Sequence, residues 1–173
     1  EKTYGYQVIH ITDAFDMMGG TLDRSKAYDY ARASIEKVLE ENPTIEVVID
    51  LHRDGVAETT RLVTNIDGKQ MAKVMLFNGL SYSVRNGDIG YLYNPYRDDN
   101  LAMSLQMYLL GQAYYPDYFR RIYVNAYRYC LHERGKSMLI EAGAQTNTFE
   151  EVKNAMEPLA DLLDKLLKGE KAY

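Results

Sequence analysis

A short apolar run that ends in a cluster of ionisable side chains constrains the fold of this chain most strongly. The β-branched residues of Val47–Ile49 predict a buried strand, and the segment Asp-Leu-His-Arg-Asp follows directly. Alternate side chains of a strand share one face, so Asp50, His52 and Asp54 are expected together, and Gly55 is expected to end the strand. Because ligands of open α/β sheets bind beyond the carboxyl ends of strands, this histidine is placed to bind a metal ion or to transfer a proton.

The surrounding segments predict an α/β fold. A strand over Tyr6–Ile11, a helix over Arg24–Glu41 and the strand over Ile45–His52 have the order of a parallel βαβ unit. Thr148 and Glu151 predict a capping box that begins the last helix. The pattern also predicts strands over 59–63, 72–77, the first half of 121–129 and 137–141, a turn over 65–68, an irregular loop over 81–97, and helices over 98–114 and from 149 to about 168. We therefore expect one domain over residues 1–173, with a mixed, largely parallel sheet flanked by helices.

Composition excludes several classes of protein. A net charge of -5 lacks the basic character of nucleic-acid-binding domains, and no apolar run is long enough to cross a bilayer. The single cysteine, Cys130, excludes an intrachain disulfide and a cysteine-rich zinc site. Glu1 is not a natural first residue, so the chain is expected to be a processed or truncated piece of a longer protein.

Two predicted strands end in groups that could do chemistry, His52 and Glu141. If both strands are parallel, the imidazole and the carboxyl group meet at one edge of the sheet. Histidine is a common zinc ligand, and an unligated glutamate can take a proton from water at such a site. Alternatively, His52 could simply be paired with Asp50 or Asp54, and Glu141 could cap a helix or pair with an arginine. His10 could be a second ligand, but an ordinary strand-end histidine is the preferred interpretation, and His132 is expected in a loop.

Four stretches of the chain resemble the stage II sporulation protein P family, which is similar to the zinc-dependent N-acetylmuramoyl-L-alanine amidases. The residues that carry the resemblance are Asn42–Gly55, Gly68–Met75, Tyr115–Asp117 and Leu139–Thr148. The resemblance implies a zinc-amidase-like fold, with a mixed sheet between helices and zinc at one edge. It also implies that His52 is a zinc ligand and that Glu141 is the catalytic general base.

The function implied by the resemblance is peptidoglycan hydrolysis during sporulation and engulfment in endospore-forming bacteria. Members of the family cut the amide between N-acetylmuramic acid and L-alanine of the stem peptide, and they also cleave peptide cross-links. The implied partners are a sporulation lytic transglycosylase and a membrane anchor protein. The implied location is outside the cytoplasmic membrane, with a tether through an N-terminal segment absent here.

One departure from the family pattern concerns the metal. The family takes its first zinc ligands from an upstream His-Thr-His segment followed by a glutamate, and this chain has no such segment. A catalytic zinc takes about three protein ligands, so the chain as given is expected to bind zinc weakly or not at all and to be inactive. Two non-catalytic alternatives are a cell-wall glycan- or peptide-binding module that uses the tyrosine-rich segment 81–97, and a structural interaction domain. Arg53 could orient a substrate carboxylate, although an ion pair with Asp50 or Asp54 is preferred.

Overall fold

The computed structural model describes residues 2–23 and 25–172. Contacts within the chain divide it into two compact units, Glu1–Ile45 and Glu46–Tyr173. The single domain predicted over residues 1–173 stays a prediction. Among the described residues, no helix is both long enough and apolar enough to cross a membrane.

The first unit contains the helix α1, which spans Ala27–Glu41, and a short 3-10 helix over Phe15–Met17. Asn42 ends α1, because its backbone N–H and its side-chain amide both donate to the carbonyl oxygen of Val38. The strand predicted over Tyr6–Ile11 is wrong: these residues have no regular secondary structure and most are exposed. Residues with a strand preference show only that a segment could form a strand, whereas a strand also needs a partner for its backbone. The predicted βαβ unit is therefore wrong as well.

The second unit is built on a mixed four-stranded sheet. Its strands are β1 (Val47–Asp54), β4 (Val74–Gly79), β7 (Tyr123–Asn125) and β8 (Lys136–Ala144). Their spatial order is β1-β8-β4-β7, with β1 parallel to β8, β4 parallel to β7, and β4 antiparallel to β8. Two of the three pairings are parallel, which confirms the expected mixed, largely parallel sheet.

Two hairpins account for the remaining strands. The first joins β2 (Val63–Ile66) to β3 (Lys69–Ala72) through a turn at Asp67 and Gly68, as expected. The strand expected over residues 59–63 is therefore wrong, because the ladder begins only at Val63. The second joins β5 (Tyr82–Ser83) to β6 (Gly87–Asp88), and a 3-10 helix follows over Gly90–Leu92. The segment expected to be an irregular loop thus contains short regular elements.

Two long helices supply the core that supports the sheet. The helix α2 spans Arg97–Tyr114 and α3 spans Phe149–Leu167, each within one residue of its predicted bounds. Thr148 and Glu151 form the predicted capping box at the start of α3. The buried core joins one face of the sheet to these helices, and its central members include Val74, Leu76, Met138 and Ile140 of the strands with Met107, Leu110, Ala155 and Leu162 of the helices.

Candidate active site

The parallel pairing of β1 with β8 brings the two predicted site residues together. His52 and Glu141 are register partners on these adjacent strands. Neighbouring strands lie about 4.8 Å apart, and residues in register project to the same face of a sheet. The structure therefore brings the imidazole and the carboxyl group to one face, near the carboxyl ends of both strands. This is the juxtaposition expected from the sequence.

Asp50 holds the imidazole of His52. The Nε2 atom of His52 lies 2.7 Å from Oδ1 of Asp50, two residues earlier on β1 and on the same face. The pKa of His52 is raised, chiefly by this hydrogen bond and also by the nearby charge of Glu141, while burial acts in the opposite direction. Asp50 therefore orients the ring and favours its protonated form.

Glu141 is a half-buried carboxylate that lacks full hydrogen bonding. Its Oε2 atom is buried and has no hydrogen-bond partner among the described residues. Burial raises the pKa of Glu141, and the negative charges of Asp54 and Asp50 add to the rise, whereas His52 and Arg120 oppose it. A carboxylate with a raised pKa and an unused oxygen is suited to accept a proton from a substrate or from water.

An ion pair between Asp54 and Arg120 flanks Glu141. The Nη1 atom of Arg120 donates to Oδ2 of Asp54 at 2.6 Å, and both side chains are about three-quarters buried. A register shift between His52 and Asp54 pairs Asp54 with Ala144, so Asp54 lies beyond Glu141 at the end of the sheet. Asp54 was expected on this face from the sequence, whereas Arg120 was not expected at the site. Nothing in the pattern around residue 120 indicates which residue its side chain contacts.

Arg53 has a structural role that neither expectation described. Its guanidinium donates to the carbonyl oxygens of Ala144 and Asn147 at 2.6 to 3.1 Å, so it is paired with neither Asp50 nor Asp54. These carbonyls belong to the turn between β8 and α3. The expected ion pair with Asp50 or Asp54 is therefore wrong, and Arg53 anchors this turn instead. Its contact with a substrate carboxylate stays a prediction.

Aromatic rings continue the Glu141 face toward the far edge of the sheet. Phe77 is two residues beyond Met75, the register partner of Glu141, and therefore lies on the same face. Its ring contacts Tyr123 at 5.1 Å and Tyr129 at 4.8 Å between centroids. The backbone of Tyr129 has a φ of 55°, a left-handed conformation that a non-glycine residue seldom adopts. Sequence analysis missed this cluster, because the tyrosines lie on separate segments.

The other two histidines are in irregular or turn segments. His10 is exposed in the irregular segment of the first unit, where the predicted strand is absent. His132 lies in a turn region, as expected, and its Nε2 is 3.0 Å from Oε1 of Glu133.

The described residues do not form a complete metal site. Within residues 2–23 and 25–172, no three His, Cys, Asp or Glu side chains are grouped so that they could hold a metal ion. The Nε2 atom of His52 is directed at Asp50, and its register partner Glu141 is the expected general base and not a ligand. A catalytic zinc takes about three protein ligands, so this donor set does not fit one on its own.

Comparison with known proteins agrees with the family resemblance. Searches of curated proteins and of solved structures each found no match. The family model described as stage II sporulation protein P matches residues 2–164, which is nearly the whole chain. Glu141, His52 and the strands that carry them lie inside the matched region. The chain therefore belongs to the stage II sporulation protein P family, which acts in engulfment during sporulation and is associated with peptidoglycan hydrolysis.

Proposed function

We propose that this chain carries the catalytic base of a peptidoglycan amidase that cleaves the bond between N-acetylmuramic acid and L-alanine of the stem peptide. Peptide cross-links would be a second substrate. The observation that supports this most directly is the register pairing of His52 with Glu141, whose buried Oε2 has no partner among the described residues. Family membership supports the substrate class.

Glu141 would act as general base and then as general acid. Amide hydrolysis needs a group that removes a proton from the attacking water and returns it to the departing nitrogen. A carboxylate whose pKa is raised by burial is a stronger base than an exposed one, and its proton is still easily returned. The free Oε2 can accept the water proton without breaking an existing hydrogen bond. In the second step the same oxygen would protonate the L-alanine nitrogen, which leaves as an amine.

We propose His52 as one ligand of the zinc ion implied by the family. The other protein ligands would have to come from outside the described residues, since these supply too few. Asp50 would then act as the acceptor that orients the imidazole of His52, as carboxylates do for many metal-bound histidines. The proton transfers assigned to Glu141 depend only on residues of this chain.

The proposal extends to location and partners. Peptidoglycan lies outside the cytoplasmic membrane, so the domain would act there, tethered through an N-terminal segment of the full-length protein. A sporulation lytic transglycosylase would cut the glycan strands while this protein removes their peptides, and a membrane anchor protein would recruit it. These partners follow from the family resemblance.

The replacement Glu141→Gln in the full-length protein tests the assignment of the base. Glutamine keeps the shape of the side chain but cannot accept the proton, so digestion of purified cell walls should fall by about 100-fold or more while binding to the walls persists. Glu58→Gln is a matched control, because Glu58 is exposed and lies outside the site. Unchanged digestion by the Glu141→Gln protein would show that the base is another residue.

A binding module remains the second candidate function, and one observation favours it. Tyr91 and Tyr93 are 81% and 70% exposed, so the tyrosine-rich segment offers apolar rings to solvent where a sugar or peptide could pack. This candidate predicts that the full-length wild-type protein binds cell walls but does not digest them. It also predicts that replacement of both tyrosines by alanine abolishes wall binding, whereas Glu141→Gln has no effect on any activity.

A further inference from the structure

Arg120 and Asp54 come from opposite flanks of β8, and their side chains meet at the candidate site. Its backbone N–H donates to the carbonyl oxygen of Val74, which places residue 120 beside β4 on the flank where β7 lies. Asp54 ends β1, and β8 separates β1 from β4 in the sheet. Because the two side chains nevertheless meet at 2.6 Å, the ion pair spans the end of β8, the strand that carries Glu141.

The guanidinium of Arg120 has donors that this ion pair does not use. Arginine has five N–H donors, and the single hydrogen bond from its side chain to a described residue runs from Nη1 to Oδ2 of Asp54. The side chain remains 26% exposed, so its remaining donors are open to a ligand. Arg53 differs, because both Nε and Nη2 of its guanidinium already bind backbone carbonyls. Of these two arginines, Arg120 has the larger number of unused donors, and it is the one whose charge acts on Glu141.

We propose that Arg120 binds a carboxylate of the stem peptide and so positions the scissile amide over Glu141. This rests on the proposed function and names a substrate contact for it. A planar guanidinium fork matches the two oxygens of a carboxylate. In the stem peptide the residue after L-alanine is D-glutamate, whose α-carboxylate lies within one residue of the bond to be cut. The positive charge of Arg120 acts on Glu141, so a carboxylate bound by Arg120 is near the base.

Asp54 supports this role of Arg120 by holding one end of the guanidinium. A tethered arginine loses less side-chain freedom when it binds a ligand, so more of the interaction free energy appears as affinity. Asp54 also balances the positive charge when no substrate is bound, which allows the arginine to remain largely buried.

Binding of two soluble muramyl tripeptides to the 173-residue chain tests the proposal. The peptides are identical except that the α-carboxylate of D-glutamate is free in one and amidated in the other. The wild-type chain should bind the free acid about tenfold more tightly, because hydrogen bonds to a charged acceptor are stronger. Arg120→Gln should remove this preference and leave affinity for the amidated peptide unchanged. Arg121→Gln is the matched control, because Arg121 is an exposed neighbour of equal charge.

The affinities are measured by NMR titration, and thermal unfolding verifies that each variant is folded. Arg120→Lys keeps the charge without the fork and should retain part of the preference for the free acid. A preference that persists in Arg120→Gln would overturn the proposal, as would equal binding of the two peptides, or no binding of either, by the wild-type chain. Since binding is measured without bond cleavage, failure of the hydrolase proposal would show separately, in the cell-wall digestion by the Glu141→Gln protein.

Discussion

His52 and Glu141, far apart along the chain, are direct register partners on the adjacent parallel strands β1 and β8. The same arrangement places the Glu141 carboxyl group in a half-buried position where Oε2 has no partner among the described residues. A structural carboxylate would be expected to have its hydrogen bonds satisfied. The unfavourable burial of Glu141 is therefore consistent with a catalytic role. It also affects the free energy of unfolding, which can be measured.

Glu141→Gln is expected to stabilise the chain at neutral pH. Burial raises the pKa of Glu141 in the folded state, so the protonated form is favoured there. The favourable contribution of Glu141 to the free energy of unfolding is fully present below its unfolded pKa of about 4.3. This contribution is lost as the pH rises through the higher pKa of the folded state. The neutral glutamine avoids this loss. The melting temperature of the variant should therefore exceed that of the wild type at pH 7, with a smaller difference at pH 4.

The control for this prediction is Glu58→Gln, whose exposed side chain should leave the melting temperature unchanged at both pH values. The charges that face Glu141 are those of His52, Asp50, Asp54 and Arg120, and burial is the largest cause of the rise in its pKa. Equal melting temperatures of wild type and Glu141→Gln across this pH range would show that the carboxylate is well solvated in the folded chain.

Gly143→Ala is expected to destabilise the end of β8, just before the turn into α3. Gly143 has a φ of +70°, and an added Cβ would lie 2.7 Å from Oδ1 of Asn147 and 2.8 Å from Cβ of Ala72. Backbone strain and this contact together should cost about 2 kcal/mol or more, measured by urea denaturation. Gly55→Ala is the matched control, because a Cβ there meets no atom within 4 Å. Equal stability of the two variants would mean that the end of β8 adapts without cost.

Arg53→Gln is expected to lower stability and to leave discrimination between the free and amidated peptides intact. The arginine donates charged hydrogen bonds to the carbonyls of Ala144 and Asn147, and their loss should cost about 1 to 3 kcal/mol in the free energy of unfolding. The measurement combines urea denaturation with the peptide titration described for Arg120. The opposite result, unchanged stability with lost discrimination, would identify Arg53 as the substrate contact.

The 173-residue chain is expected to bind zinc weakly. His52 is the one histidine of the candidate site, and no group of three possible ligands occurs among the described residues. Calorimetric titration with zinc should therefore show no tight site, and His52→Ala should reduce whatever weak binding occurs. His132→Ala is the control, because His132 is paired with Glu133 in a turn region. Tight binding of zinc with every protein ligand drawn from this chain would contradict the expectation.

Local patterns were reliable where the stabilising interactions are themselves local. The bounds of α2 and α3 agree with prediction to within one residue, because helix periodicity and the Thr148–Glu151 capping box depend on neighbours in the chain. The segment Tyr6–Ile11 is rich in β-branched and aromatic residues and yet forms no strand. A strand is completed only by a partner, which the pattern does not identify.

The sequence alone determined which side chains this chain has for chemistry, and that His52 and Glu141 each follow an apolar strand. Tertiary structure decided that these strands are parallel neighbours in register, that Asp50 holds the imidazole, and that Arg120 is the arginine whose charge acts on Glu141. The physical reason is the distance along the chain over which the stabilising interactions act. Helix periodicity and caps arise within a few residues, whereas sheet register and the reach of an arginine depend on contacts between distant segments that form only when the core packs.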